Sequence, residues 1–454
     1  MLLNALKPDI PGYHGPATVL AFSRLAADPL AFFTDTRDRF GDLAWIRIGT
    51  ERIVLVSDPA LVDELLWKRH GSLRKDNITQ RLRLALGDGL LTAEGPRWKD
   101  HRRRIAPSFQ RGELAAYADT MALCAQAAVD RLQGHDSIEL HRMCSALTLD
   151  IVHKCLFGSE VEVPASHIGD ALDSMMDAFI KELRTWRRFV PPEVPLDTRA
   201  TVKEGSAEID AVLLDIIAHR RARIEREGAG RDLLDRLITA TGPDGETFTD
   251  TELRDEAITL FVAGHETTAL GLTYALTALS WHPEVRARLR DELAGQLGDD
   301  TPTFASVSKL PYLRAVIQET LRLYPPAWGF GRLALEDIEL GGHHIPEGCS
   351  LFVLPWVLHR DARRFDSPLQ FRPERWLDGL SQRLPRGGYL PFGGGPRVCV
   401  GNHFAMLELM VSLAVLERQV TIDVDPAHDF DFQASVTLRP GGPVPARVKL
   451  AAQA

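Results

Sequence analysis

FGGGPRVCVG, residues 392–401, runs directly into NHFAMLELMVSLAVLE, residues 402–417, and this junction decides how the chain is read. Glycine reaches backbone conformations closed to other residues, so Gly393, Gly394 and Gly395 let amides approach the Cys399 sulfur. The apolar periodicity after Gly401 is that of a helix, which puts Cys399 at a helix N-terminus, where thiolate is favoured over thiol. An isolated buried cysteine is ordinarily a small hydrophobe. The segment around this one argues for chemistry.

Working outward, 454 residues exceed the usual single-domain length, yet no Ser/Gly-rich linker, charge run or internal repeat divides them. We therefore expect one domain over residues 1–454. A net charge of −9 argues against a nucleic-acid binder. Cysteines 124, 144, 155, 349 and 399 form no CxxC pair, which fits a reducing compartment and a cytoplasmic location. The opening MLLNALKPDIPGYHGPATVLAF carries Pro8, Asp9, Pro11 and Pro16 where a signal or membrane anchor needs an unbroken apolar run.

LAWIRIG (43–49) and RIVLVSD (52–58) alternate apolar and polar residues around Thr50 and Glu51 and predict an early hairpin. Helical periodicity dominates from Pro59 to about residue 325, and short strands return over 333–358. The expected fold is mainly α with small β-sheets: β-rich portions near 40–60 and 330–360, a helical core over 60–325 and 399–418. The longest predicted helix starts at Thr249, which with Glu252 fits a capping box, and runs to Trp281 before His282-Pro283. Its middle, ITLFVAGHETTALGLTYALTAL, is apolar nearly all round, the mark of a buried central helix.

F-x-x-G-x-R-x-C-x-G is matched by Phe392, Gly395, Arg397, Cys399 and Gly401, and on these residues the chain resembles the cytochrome P-450 family. The resemblance implies that family's fold, with haem b between the long helix and the cysteine loop. It makes Cys399 the axial ligand of the iron, places Phe392 beside the sulfur and directs Arg397 to a haem propionate. A thiolate ligand pushes electron density onto iron and favours O–O cleavage. The absence of CxxCH implies a haem held by ligation and packing alone.

Other segments match the family's motifs. Glu319 and Arg322 (E-x-x-R) share a helix face and, with Arg375 of FRPERW, resemble a buried structural network beneath the haem; without the resemblance an exposed ion pair would be the plainer reading. Trp98 and Arg102 of WKDHRR lie four apart, where an indole N–H and a guanidinium can bind carboxylates together, and Arg332 matches a further propionate-binding arginine. AGHETT, residues 263–268, resembles the dioxygen-binding motif. There Ala263 and Gly264 would border bound dioxygen, Thr267 would hydrogen-bond it and Glu266 would relay protons through water. Heterolysis of the O–O bond needs two protons delivered while bulk water is kept out. His265 has no second ligand at matching spacing, and His343-His344 beside Gly341-Gly342 reads as a surface turn.

By the same resemblance the substrate pocket draws on Ile78 to Leu91, Ala263 with Thr267, Ala327, Trp328, Phe330, Val436 and Thr437, nearly all apolar. The expected activity is insertion of one oxygen atom from dioxygen into a small apolar molecule such as a fatty acid, terpenoid or polyketide. FVPPEVPL, 189–196, resembles the family's mobile lid. No flavin or iron–sulfur motif is present, so electrons are expected from NAD(P)H only indirectly, through a ferredoxin with its reductase or a flavodoxin, docking near Arg102, Arg103 and Arg104. The chain is expected to be monomeric, without nucleic acid or membrane anchor. A peroxygenase or hydroperoxide isomerase of the same fold could dispense with Glu266 and Thr267, and so could a non-catalytic haem or apolar-ligand carrier. A helical protein without haem is the remaining alternative.

Overall fold

A computed structural model describes residues 9–14, 17–48, 51–158, 165–185, 190, 194, 196–230 and 232–450. Most of the lid-like stretch 189–196 lies outside the described residues. The chain divides into two compact units. One comprises residues up to 80, 318–399 and 432–439; the other comprises 81–317, 400–431 and the chain from 440 onward.

The first unit is built on a five-stranded sheet. Its strands are β1 (Leu43–Ile48), β2 (Glu51–Val56), β3 (Leu73–Lys75), β4 (Phe330–Ala334) and β5 (Ser350–Val353), in the spatial order β1-β2-β5-β4-β3. β1 and β2 form the antiparallel hairpin, with Trp45 opposite Val54, and β2 pairs parallel with β5. Leu43, Trp45, Val54 and Val56 enter one core with Leu351 and Val353, whereas Ala44, Ile46, Ile53 and Leu55 enter another with Phe32 and Phe33. The hairpin forms where expected and is buried on both faces, with Arg47 the one exposed residue of β1, so the apolar–polar alternation read from the sequence does not mark one face as open. The reason is tertiary: a sheet covered on both faces uses both phases of the side-chain alternation. His343 and His344 also differ from the sequence reading. They start the strand His343–Ile345, and the turn itself is Gly341-Gly342, both at positive φ.

The second unit is helical. Its main members are α1 (Gly95–Ile105), α2 (Arg111–Arg131), α3 (Leu140–Phe157), α4 (Asp197–Glu227), α5 (Asp250–Trp281) and α6 (Asn402–Gln419). α5 begins as the sequence predicts: Thr249 Oγ1 accepts from the Glu252 amide at 3.3 Å, and the Glu252 carboxylate accepts from the Thr249 amide at 3.0 Å. It ends before Pro283, which disfavours helical backbone in the residue ahead of it. α5 packs on α3, α4 and α6, and α6 packs on α2. Phe261, Leu270, Leu272, Tyr274, Leu276 and Leu279 are fully buried on it. Each such side chain stabilises the fold by about 1.5–3 kcal/mol, which offsets the cost of the polar residues buried on the same helix. Among the described residues no helix is long and apolar enough to cross a membrane.

Candidate functional site

The 263–268 turn of α5 has two faces. Ala263 is exposed and Gly264, Glu266 and Thr267 are half-buried, while His265 and Thr268 are buried. Glu266 is thus a partly accessible acid rather than a buried one, because only one face of the helix is covered at this turn. Thr267 Oγ1 donates to the Ala263 carbonyl at 2.8 Å, and Thr268 Oγ1 lies 2.7 Å from the Gly264 carbonyl. Thr148 Oγ1, from α3, donates to the His265 carbonyl at 3.0 Å. Three successive carbonyls thus face hydroxyl groups, an arrangement that bends helices. Gly264 is needed for packing as well: a Cβ there would stand 3.2 Å from Val152 Cγ2 on α3. His265 Nε2 is 3.2 Å from Ser145 Oγ, also on α3, which gives it a structural partner.

The cysteine segment belongs to the first unit. The Cys399 amide donates to the Phe392 carbonyl at 2.9 Å, the Val398 amide to Gly395 at 3.1 Å and the Gly393 amide to Leu390 at 3.1 Å. Gly393 and Gly395 hold φ of +71°, the left-handed region that favours glycine. A Cβ on Gly395 would stand 2.1 Å from the Leu66 carbonyl oxygen. Upstream, the Leu390 amide donates to His359 Nε2 at 2.8 Å. Burial pulls the His359 pKa down to about 3, helped by Arg322 and Arg360, so the ring is neutral and can accept. α6 starts at Asn402 with Gly401 as its N-cap, so Cys399 lies two residues before the cap. Cys399 is exposed, whereas the other four cysteines are buried. Burial pushes the Cys144 thiol up to about 12 and the Cys349 thiol up to about 11.

Glu319 is fully buried. Its Oε2 accepts from Arg322 Nε at 2.8 Å and Trp376 Nε1 at 2.9 Å. Its Oε1 accepts from Arg322 Nη2, Arg375 Nε and the Arg372 amide, each at 2.9 Å. Arg322 Nη1 continues to the His359 carbonyl at 2.8 Å. Trp376 and His359 were not identified from the sequence, although Trp376 stands directly after Arg375.

On α1, Trp98 is buried and Arg102 half-buried. Arg104, expected in a docking patch, is withdrawn: it pairs with Asp100 at 2.6 Å and Glu246 at 2.7 Å and lies over the Phe248 ring. The exposed arginine of the trio is Arg103. His101, directly before the trio, is buried with Nδ1 2.6 Å from Glu256 Oε1 on α5. Glu256 Oε2 accepts from the Leu90 amide at 3.1 Å, and the Asp88 amide donates to Asp255 at 2.7 Å, which docks the segment before α1 on α5. Arg332 stands on β4 with its guanidinium over the Phe330 ring, and Arg397 ends a short 3-10 turn.

Of the pocket candidates, Trp328 Nε1 donates to the Ser435 carbonyl at 2.9 Å, which brings it to the turn carrying Val436, and Thr437 is buried beside it. Phe330 packs partly into the sheet core. Ile78 is 40% exposed, Leu91 and Ala327 are half-buried.

A family model described as Cytochrome P450 (here cytochrome P-450) matches residues 16–440. Cyclooctatin synthase of Streptomyces melanosporofaciens is 31% identical over 86% of this chain and 85% of its own. Cyclooctat-9-en-7-ol 5-monooxygenase of the same organism is 31% identical over 83% of this chain and 81% of its own. Pentalenene oxygenase of Streptomyces avermitilis is 29% identical over 87% and 88%. With its long helix bearing AGHETT, its cysteine loop and its Glu319 network, the chain belongs to the cytochrome P-450 family and is a monooxygenase of that family.

Proposed function

We propose that the chain hydroxylates or epoxidises a terpenoid-like hydrocarbon, with Cys399 as the thiolate ligand of haem b and with Glu266 and Thr267 moving protons. The observation that carries this reading is the two-faced turn of α5. Between residues 253 and 279 of this helix, the polar side chains that are not buried are an acid and a hydroxyl on adjacent residues, Glu266 and Thr267. The names of the relatives, and the apolar character of Leu91, Ala327, Trp328 and Val436, favour terpenoid-like molecules over charged ones.

The residues fit haem. Cys399 is the exposed thiol among five, and a glycine loop packed against Leu66 presents it. In our reading Phe392 and Gly401 flank the sulfur, and Trp98, Arg102, Arg332 and Arg397 hold the propionates. Bound haem supplies activation of dioxygen, one atom passing to substrate and the other leaving as water. Thr267 donates its own proton to the Ala263 carbonyl, so toward dioxygen its hydroxyl would act as a hydrogen-bond acceptor. Glu266, half-buried, reaches water and can reload with protons. Electrons come from a ferredoxin or flavodoxin, with Arg103 as the accessible basic contact.

Thr267→Ala should divert reductant to hydrogen peroxide, with less product per NAD(P)H consumed; unchanged coupling would remove the proton role. Titrating terpenoid hydrocarbons and fatty acids while following the haem spin state tests the substrate class. A response to fatty acids alone would overturn the terpenoid assignment. A reduced carbonyl spectrum without the thiolate signature would overturn Cys399 ligation.

A further inference from the structure

Glu408 lies on α6 and is 1% exposed. Its Oε1 is 3.0 Å from Thr268 Oγ1 on α5, and its Oε2 is buried with no hydrogen-bond partner among the described residues. Hydrogen counting decides its state. A threonine hydroxyl carries one proton. Thr268 Oγ1 stands 2.7 Å from the Gly264 carbonyl and 3.3 Å from that of His265, and carbonyl oxygens cannot donate. With the Thr268 proton on Gly264, the 3.0 Å contact takes its hydrogen from Glu408. An ionised Glu408 would instead draw that proton away from Gly264 and still keep Oε2 buried without a donor, the arrangement proteins avoid. The titratable groups facing Glu408 from α2 and α3 are the thiols of Cys124 and Cys155, both raised by burial. Burial likewise holds the Glu408 carboxyl well above its usual range.

We propose that Glu408 is a neutral acid and a positioning residue: it donates to Thr268, commits the Thr268 proton to the Gly264 carbonyl, and so fixes the 263–268 turn from which Glu266 and Thr267 act. Each donation polarises the next, so the two bonds hold the turn more firmly than either alone. The helix that follows the cysteine loop is thereby tied to α5 without placing negative charge behind Glu266. An ionised Glu408 would oppose proton release from Glu266 during turnover.

The inference rests on the Glu266–Thr267 reading, and the tests separate the two. Infrared spectra of carbon-13 glutamate-labelled protein, with and without haem, should show at neutral pH a protonated-carboxyl band that Glu408→Gln abolishes. That readout does not involve turnover. Glu408→Gln, whose amide N–H can donate to Thr268, should keep coupling within about two-fold of the parent and leave its pH profile unchanged. Glu408→Met and Thr268→Val should each raise peroxide release several-fold, and the double variant no further than either single one.

Absence of the band from the folded parent overturns the proposal. So does a Glu408→Gln enzyme as uncoupled as Glu408→Met, which would make Glu408 a proton donor, or a fully coupled Glu408→Met. If Glu408→Met fails to fold, the band and the glutamine variant still decide. Wild-type coupling in Thr267→Ala with the band present would sink the earlier reading alone.

Discussion

Glu319 and Glu408 are both glutamates with essentially no exposed surface, one in each unit. Glu319 meets two guanidinium groups, an indole N–H and a backbone amide. Glu408 meets one threonine hydroxyl. Burial is the same and the donors are not, so burial does not tell which acid is charged. A carboxylate surrounded by cationic donors is a structural anchor, and one with a single hydroxyl keeps its proton. Glu256 stands between them, with His101 on one oxygen and the Leu90 amide on the other.

The largest effect is expected at Glu319. Glu319→Ala leaves Arg322 and Arg375 uncompensated and should cost about 3–5 kcal/mol in a denaturant titration, as removal of one partner from a buried charge network does. A loss below 1 kcal/mol would mean that the network is not charged as drawn. Trp376→Phe removes one donor to that carboxylate and should cost about 1.5–3 kcal/mol. If it were neutral, the indole bond would be incidental.

The Glu408 effect appears as a slope. The unfolded glutamate ionises above its ordinary value near 4.5, while the folded one keeps its proton. The folded state then binds more protons, and stability falls as pH rises above that value. Glu408→Gln lacks this slope, so its stability relative to the parent should improve between about pH 4 and pH 8. Parallel curves would mean that Glu408 is ionised in the folded state.

The smallest effect concerns His101. Burial alone lowers its pKa, but the hydrogen bond to Glu256 and the charges of Glu256 and Glu252 outweigh burial and raise it above 6.5. Its stabilising contribution is complete below the unfolded value and is lost as pH rises through the higher folded one. The stability gap between the parent and His101→Asn should therefore narrow on going alkaline. A constant gap would make the His101 contact uncharged throughout.

Local features were legible in the sequence. The Thr249–Glu252 capping box spans four residues and is written in adjacent letters, and Glu319 and Arg322 meet within one helical turn. Contacts between distant segments were not. Glu408 and Thr268 are 140 positions apart, and nothing in FAMLELM distinguishes a neutral acid from a surface one. Arg104 looked like its exposed neighbour because Glu246, which withdraws it, lies far along the chain. The double-sided hairpin was hidden for the same reason: β1 and β2 state their own alternation but not what covers each face. The AGHETT turn was legible as a motif, whereas its division into an accessible and a covered face depends on α3 and α6.

Because four of the five sulfurs are withdrawn from solvent, protein stripped of its cofactor offers alkylating reagents a single address. A maleimide should add one mass increment, at Cys399, and haem loading should block it. Intact-protein mass spectrometry would then count the occupied fraction of a preparation directly, molecule by molecule, without reference to absorbance.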